Sequence, residues 1–162
     1  MTRRPFLAAA LSVLGLTPRL VAAAPAGSSA TPTVEPLRLA DAEWKRKLTP
    51  QQYDVLRHEG TEHPGSSPLN QEHRKGRFVC VGCELPLFSS EAKFDSGTGW
   101  PSFFAPLPGA LQTKTDRALF MARTEYHCAR CEGHHGHIFN DGPAPTGLRY
   151  CSNGVVLKFI PA

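Results

Sequence analysis

The stretch RFVCVGC, residues 77–83, decides the fold. Cys80 and Cys83 have two residues between them, so both sulfurs can turn toward one point. Cys128-Ala-Arg-Cys131 repeats that spacing. Two such pairs complete a tetrahedron around a structural zinc ion, with the thiolates closed around the metal and chemically quiet. Two disulfides, or a redox Cys-x-x-Cys, would use the same residues. The redox motif belongs with a strand–helix–strand pattern that this chain lacks. The pairs lie far apart in sequence, so a shared metal staples distant parts of a domain too small to rely on its core alone.

Outward from the first pair, the chain reads as short β-type runs: RFVCV, LFMARTEYHC, GHIF and VVLKFI, separated by Gly, Pro, Asp and Ser. Nothing between them is long enough for a crossover helix, which excludes parallel pairing. Ahead of them TPQQYDVLRHEG predicts a helix. Thr49 is its N-cap, Pro50 its first residue, Gln52 the far corner of a capping box and Gly60 the residue just past its end. Tyr53 and Leu56 form its buried side. Asp41 caps a shorter helix in which Trp44 and Leu48, four apart, share a face. The expectation is a mainly β, antiparallel domain over residues 40–162 with short N-terminal helices.

Residues 1–26, MTRRPFLAAALSVLGLTPRLVAAAPA, read as an export signal: a basic start, an apolar run from Phe6 to Leu16, and small residues suited to cleavage after Ala23 or Ala26. The run is shorter than the ~20 residues that span a bilayer. TRRPFLA resembles the twin-arginine signal, an ordinary secretory signal being the alternative. Residues 27–39 are a flexible linker by composition. The mature protein is expected in a bacterial periplasm, without stable membrane association, where cysteines end as disulfides or metal ligands. The net charge of +4 rests partly on Arg3, Arg4 and Arg19, and no basic face is clustered, which argues against nucleic acid as a partner.

The fifth cysteine lies in GLRYCSNG, residues 147–154. In an extended strand Arg149, Cys151 and Asn153 point the same way. The arginine favours the thiolate, lowering the pKa from about 8.5, and the asparagine offers amide hydrogens. Simple packing of a lone cysteine is the alternative. Upstream, GHHGHIFNDGPAPTG places His134 and His137 three apart with His135 between. Histidine tracts bind metals, but the four cysteines already satisfy one zinc. A histidine beside a thiolate can instead move protons, with Asp141 orienting it. In FDSGTGWPSFF, Trp100 is held between Gly99 and Pro101 as a fixed apolar wall, while Phe103 and Phe104 read as core.

From about Leu48 to Phe159 the chain resembles the B-type methionine-R-sulfoxide reductases. The resemblance rests on TPQQYDVLRHEGTE, both cysteine pairs, KFDSGTGWPSF, GHHGHIF, DGPAPTGLRYC and SNGVVLKF, in that order. It implies two small antiparallel sheets with helices at the N-terminal side, stapled by zinc, and no organic cofactor. It also implies an activity: the Cys151 thiolate attacks the sulfoxide sulfur of oxidised methionine in proteins or peptides and is left as a sulfenic acid. His137, with His134 beside it, matches the proton donor; Arg149, Asn153 and Asp141 match supporting positions; Trp100 matches the wall for the substrate methyl group. Two departures stand out. Thr98 occupies the position where many members carry a resolving cysteine, so an external thiol, thioredoxin-like or other, must reduce the enzyme. His135 stands where an apolar residue is common and raises the option of an accessory metal site. The protein is expected to be a monomer. A non-catalytic zinc scaffold that binds a protein partner, or a peroxide-sensing thiol protein, would use the same residues differently.

Overall fold

A computed structural model describes residues 34–117 and 122–162 of the chain. The export signal at 1–26 lies outside the described residues, as do the first part of the linker and the beginning of LFMARTEYHC. Residues 34–39 carry neither helix nor strand, yet Val34, Leu37 and Leu39 pack against the core and the Leu37 N–H donates to the Arg130 carbonyl at 2.7 Å.

Two short helices open the domain. The first, α1 (Asp41–Lys47), is capped by Ala40 and not by Asp41: the Ala40 N–H donates to the Glu43 carboxylate at 2.8 Å. Asp41 sits one position later, in the first turn, where its charge favours the positive end of the helix. In α2 (Pro50–His58) the capping box forms as expected. Thr49 Oγ1 accepts from the Gln52 N–H at 3.2 Å, and Gln52 Oε1 accepts from the Thr49 N–H at 3.1 Å. The helix ends one residue early, because Glu59 and not Gly60 takes the left-handed conformation, at φ 58°. Its buried residues are Val55 and Leu56, with Tyr53 only partly covered by the core. Trp44 and Leu48 are buried together, as their spacing requires.

The strands form two antiparallel sheets among the described residues. In the smaller, β1 (Gly76–Cys80) lies between β2 (Pro86–Ser89) and β9 (Leu157–Pro161). The larger contains β3 (Lys93–Phe94), β4 (Ser102–Phe103), β5 (Leu111–Asp116), β6 (Arg123–Cys128), β7 (His134–Phe139) and β8 (Arg149–Ser152), in the spatial order β3-β4-β8-β7-β6-β5. The expected class, mainly β with two antiparallel sheets and short N-terminal helices, is the one observed.

An aromatic cluster joins the sheets. Phe88 of β2 stacks on Phe103 of β4 with ring centroids 4.1 Å apart and planes 9° apart. Phe78 meets Phe103 edge-on at 4.9 Å, and Tyr126 meets Tyr150 at 5.5 Å. Phe78, Phe88, Phe103 and Tyr126 are fully buried, and each such ring contributes about 1.5–3 kcal/mol through the surface it removes from water. With its core face packed, the larger sheet has the opposite faces of β7 and β8 free to carry chemistry.

Candidate active site and metal centre

The two cysteine pairs sit in matching turns. Glu84 follows the first pair and Glu132 the second, both left-handed, at φ 60° and 57°. The Glu84 N–H donates to the Cys80 carbonyl at 2.8 Å and the Glu132 N–H to the Cys128 carbonyl at 2.9 Å. The first cysteine of each pair donates its own N–H to the residue five positions on, Leu85 or Gly133, at 3.0 Å. Each turn thereby aims both of its sulfurs the same way. The four sulfurs lie within 4.8 Å of one another, with Cys80–Cys131 at 3.7 Å and Cys83–Cys128 at 3.4 Å. A tetrahedral ion with metal–sulfur bonds of about 2.3 Å needs sulfurs roughly 3.8 Å apart, so these residues fit such an ion. All five cysteines are free of disulfides. Leu56 of α2 packs near Gly82 and Gly133, Trp44 of α1 near Gly82, and Arg57 donates to the Cys131 carbonyl at 2.9 Å. The helices therefore roof the metal centre.

Cys151 belongs to the other region. It lies opposite His137 of β7 on one side and Ser102 of β4 on the other. Directly paired residues share a sheet face, so the register draws one row across the sheet: Lys114, Glu125, His137, Cys151, Ser102. Behind that row lie the aromatic residues of the core. Gly136 lets β7 come this close, since a Cβ there would overlap the Cys151 carbonyl oxygen. Cys151, His137, Trp100, Arg123, Phe139 and Asn153 line a cleft of about 150 Å³ together with Thr61, Gly136 and Ser152. A larger groove of about 730 Å³, walled in part by Glu62 and Phe159, is lined by neither Cys151 nor His137.

Three expectations about side-chain partners need correction. Asp141 does not orient a histidine: it takes both Arg149 Nε–H, at 2.8 Å, and Arg149 Nη2–H, at 2.9 Å. His137 is held by Asp116, whose Oδ2 accepts from His137 Nε2 at 2.8 Å and from Arg123 Nη2 at 2.6 Å. His134 bonds through Nδ1 to Glu125 Oε1 at 2.8 Å, with both residues buried. Burial keeps His134 below the ordinary imidazole pKa, although Glu125 pulls it upward. The Asn153 amide is also committed: its oxygen accepts from the Glu62 N–H at 3.0 Å and its Nδ2 donates to the His135 carbonyl at 3.1 Å. It shapes the cleft wall through the backbone.

The third correction concerns the thiol. Burial pushes Cys151 above the ordinary thiol pKa, and the pull of the Arg149 charge with hydrogen bonds from Thr98 and Arg149 only partly offsets it. The net direction is upward, against the lowering that an adjacent arginine alone predicts. Arg149 stacks over the Phe139 ring, 4.3 Å from its centroid, and is held there by Asp141. Trp100 lines the same cleft as Cys151, with its indole N–H donating to the Glu62 carbonyl at 3.2 Å. Glu62, Asp116, Arg123 and Glu125 escaped the sequence reading because no spacing links them to their partners. Glu125 alone left a trace, as a lone acid inside the strand run TEYHC. His135 is wholly buried with neither ring nitrogen hydrogen-bonded, and it joins no group of metal-ligating side chains among the described residues.

The SelR domain family matches residues 48–161. The peptide methionine sulfoxide reductase MsrB of Agrobacterium fabrum is 51% identical over 123 residues, which cover 75% of this chain and 91% of that protein. The MsrB of Herminiimonas arsenicoxydans is 53% identical over 120 residues, 74% of this chain and 88% of the relative. That of Leptospira interrogans is 50% identical over 121 residues, 74% and 92% respectively.

Proposed function

This chain belongs to the SelR-domain family of B-type methionine sulfoxide reductases, and from that premise we propose that it returns methionine-R-sulfoxide in proteins and peptides to methionine. One observation carries the reading: Cys151 and His137 face each other across two paired strands, inside a cleft walled by Trp100.

The chemistry follows from what a sulfoxide is, a methyl group and a strong dipole on one atom. The methyl lies against Trp100, and the oxygen points toward the polar side of the cleft, where His137 and Arg123 stand. Cys151 Sγ bonds to the substrate sulfur and gives up its proton, which His137 delivers to the sulfoxide oxygen. Asp116 steadies the imidazole during that exchange. The substrate's sulfur–oxygen bond then breaks, the hydroxyl ends on Cys151, and methionine leaves. A thiol and a sulfoxide have become a sulfenic acid and a thioether, with no atom or electron left over.

Thr98 hydrogen-bonds Cys151, so this position offers the thiol a hydroxyl and no second sulfur. A thioredoxin-like or other external thiol therefore condenses with the sulfenic acid, releasing water. A second thiol frees Cys151 and departs as a disulfide. The four knuckle cysteines hold a structural zinc ion, which supplies fold stability and takes no part in these steps. The signal-like residues 1–26 support export to a periplasm, with metal loaded before export if the twin-arginine route is used. No helix among the described residues is long and apolar enough to cross a membrane.

The deciding test presents the R and S epimers of a peptide methionine sulfoxide to the reduced protein with dithiothreitol. Consumption of R alone, lost on Cys151→Ser with metal content unchanged, is expected. Equal inertness toward both epimers in metal-loaded, reduced protein would defeat the proposal. Reaction of Cys151 with peroxide but not with either sulfoxide would make it a sensor.

A further inference from the structure

Glu62 is a buried acid that the reaction does not use. It is 4% exposed, and its carboxylate accepts two backbone N–H groups, from Gly154 at 2.5 Å and Val155 at 2.9 Å. Those groups begin the 3₁₀ turn Gly154–Val156, which follows β8 directly after Asn153. The main chain of Glu62 faces the cleft residues: its carbonyl takes the Trp100 indole N–H, and its N–H donates to Asn153 Oδ1 at 3.0 Å. One residue thus makes four hydrogen bonds to the segment just before β4 and the segment just after β8, tying the outer ends of two strands that the sheet pairs.

The surrounding packing favours the same role. Gly154 lets the loop settle, because a Cβ there would overlap the Ser67 hydroxyl and meet Pro101. The Gly65 N–H donates to the Gly99 carbonyl at 2.8 Å, and Asn70 Nδ2 donates to that carbonyl at 3.0 Å. Trp100 and its neighbours are therefore backed by the 62–70 segment, which is pinned at the Glu62 carboxylate.

We infer that Glu62 is a positioning residue for the substrate methyl pocket: its carboxylate anchors the loop to the turn after β8, so that its main chain fixes Trp100 and Asn153 relative to Cys151. The inference rests on the sulfoxide-reductase reading above and deepens it. It separates the fixing of the wall from the chemistry of the thiol. Burial pushes the Glu62 pKa up while the two backbone donors pull it down, as expected for a carboxylate employed as an acceptor.

Glu62→Gln keeps the shape but turns a donor toward one of the two N–H groups. The expected result is a KM for the R sulfoxide raised roughly ten- to hundredfold with kcat nearly kept, since a displaced wall weakens binding before it touches the nucleophile. Discrimination between R and S falls with it, while metal content and the rate of Cys151 alkylation stay at the parent values. A KM and selectivity within twofold of the parent would overturn the inference. A second measurement needs no variant. The protein has two tryptophans, and the Trp100 indole proton in the native enzyme should exchange with solvent far more slowly than a free indole. Exchange at the free rate would overturn the clamp even if Glu62→Gln failed to fold. If the parent reduced neither epimer but its Trp100 proton were protected, and Glu62→Gln removed that protection, the clamp would stand and the reaction would fall.

Discussion

The molecule keeps its sulfur in two settings built on opposite plans. At the roofed end, four cysteines flank the turns that end β1 and β6, converge within 4.8 Å and are buried beneath two helices. In the cleft, one cysteine is carried by a strand, half-buried, and faces a histidine and a serine across the sheet. Turns suit the first task because a metal supplies the cohesion and the backbone need only point sulfurs inward. A strand suits the second because the ladder on either side sets the thiol opposite its partners, with Thr98 and Arg149 bonding it. Clustering makes sulfur structural; isolation between polar neighbours makes it available.

Removing one ligand tests the first plan hardest. Cys128→Ser should lose stoichiometric metal and cooperative thermal unfolding together, as expected where metal binding is folding energy. Retained cooperative unfolding without metal would mean that the aromatic cluster suffices and that the contrast is overdrawn. Replacing His137 by Ala leaves the roofed end intact. It should cost about 10²–10⁴ in kcat for the R sulfoxide, the usual range for a lost proton-transfer group. Asp116→Asn keeps an acceptor for the ring and should cost roughly tenfold, within the lower part of what a misplaced group loses. Steady-state kinetics with metal analysis checks both.

The third test concerns protonation. Alkylation of Cys151 by iodoacetamide should rise with pH to a midpoint above the free-thiol value of about 8.5, and Arg149→Gln should move it higher still. A midpoint below 8.5 would restore the thiolate that the sequence alone suggests. The knuckle cysteines should not react over the same range while metal is bound.

How far these two plans can be read from sequence differs with the range of the interaction. The knuckles were legible because two residues of spacing is itself the geometry. The α2 cap was legible for the same reason, each partner being three residues from the other. The β class followed from strand-like runs too closely spaced for crossovers. What escaped was whatever the register creates. Asp116 meets His137, and Glu125 meets His134, only because β5, β6 and β7 are neighbours. The sequence points Asp141 at a histidine, yet the connection between β7 and β8 turns it back on Arg149. The direction of the Cys151 shift needed its burial, which no local pattern encodes. Glu59, Glu84 and Glu132 adopt a conformation that glycine enters more readily, and composition offers no warning of it.

The smallest effect lies on the strand that serves both regions. His135 of β7 is wholly buried, and burial lowers its pKa to about 3. Unfolded, it titrates near about 6.5, so the unfolded chain binds the extra proton between those values. Stability present above pH 6.5 is therefore lost as the pH falls toward 3. His135→Leu should be neutral or stabilising at pH 7 and should gain on the parent by up to about 1.4 kcal/mol per pH unit below 6.5, measured by urea unfolding. Parallel pH curves for the two proteins would show that His135 is not neutral in the fold.

The placement of Cys151 within a paired strand has a further consequence. In a sheet, slipping one strand by one residue turns every side chain to the other face. Were β8 to slip that way, Tyr150 would face the cleft and the thiol would face the aromatic cluster. Turnover therefore works as an alignment gauge: it reads zero until β4, β8 and β7 are paired in the right frame. In a refolding experiment, strand content measured by circular dichroism should return first. Activity should follow as the stricter clock, timing the closure of this one ladder.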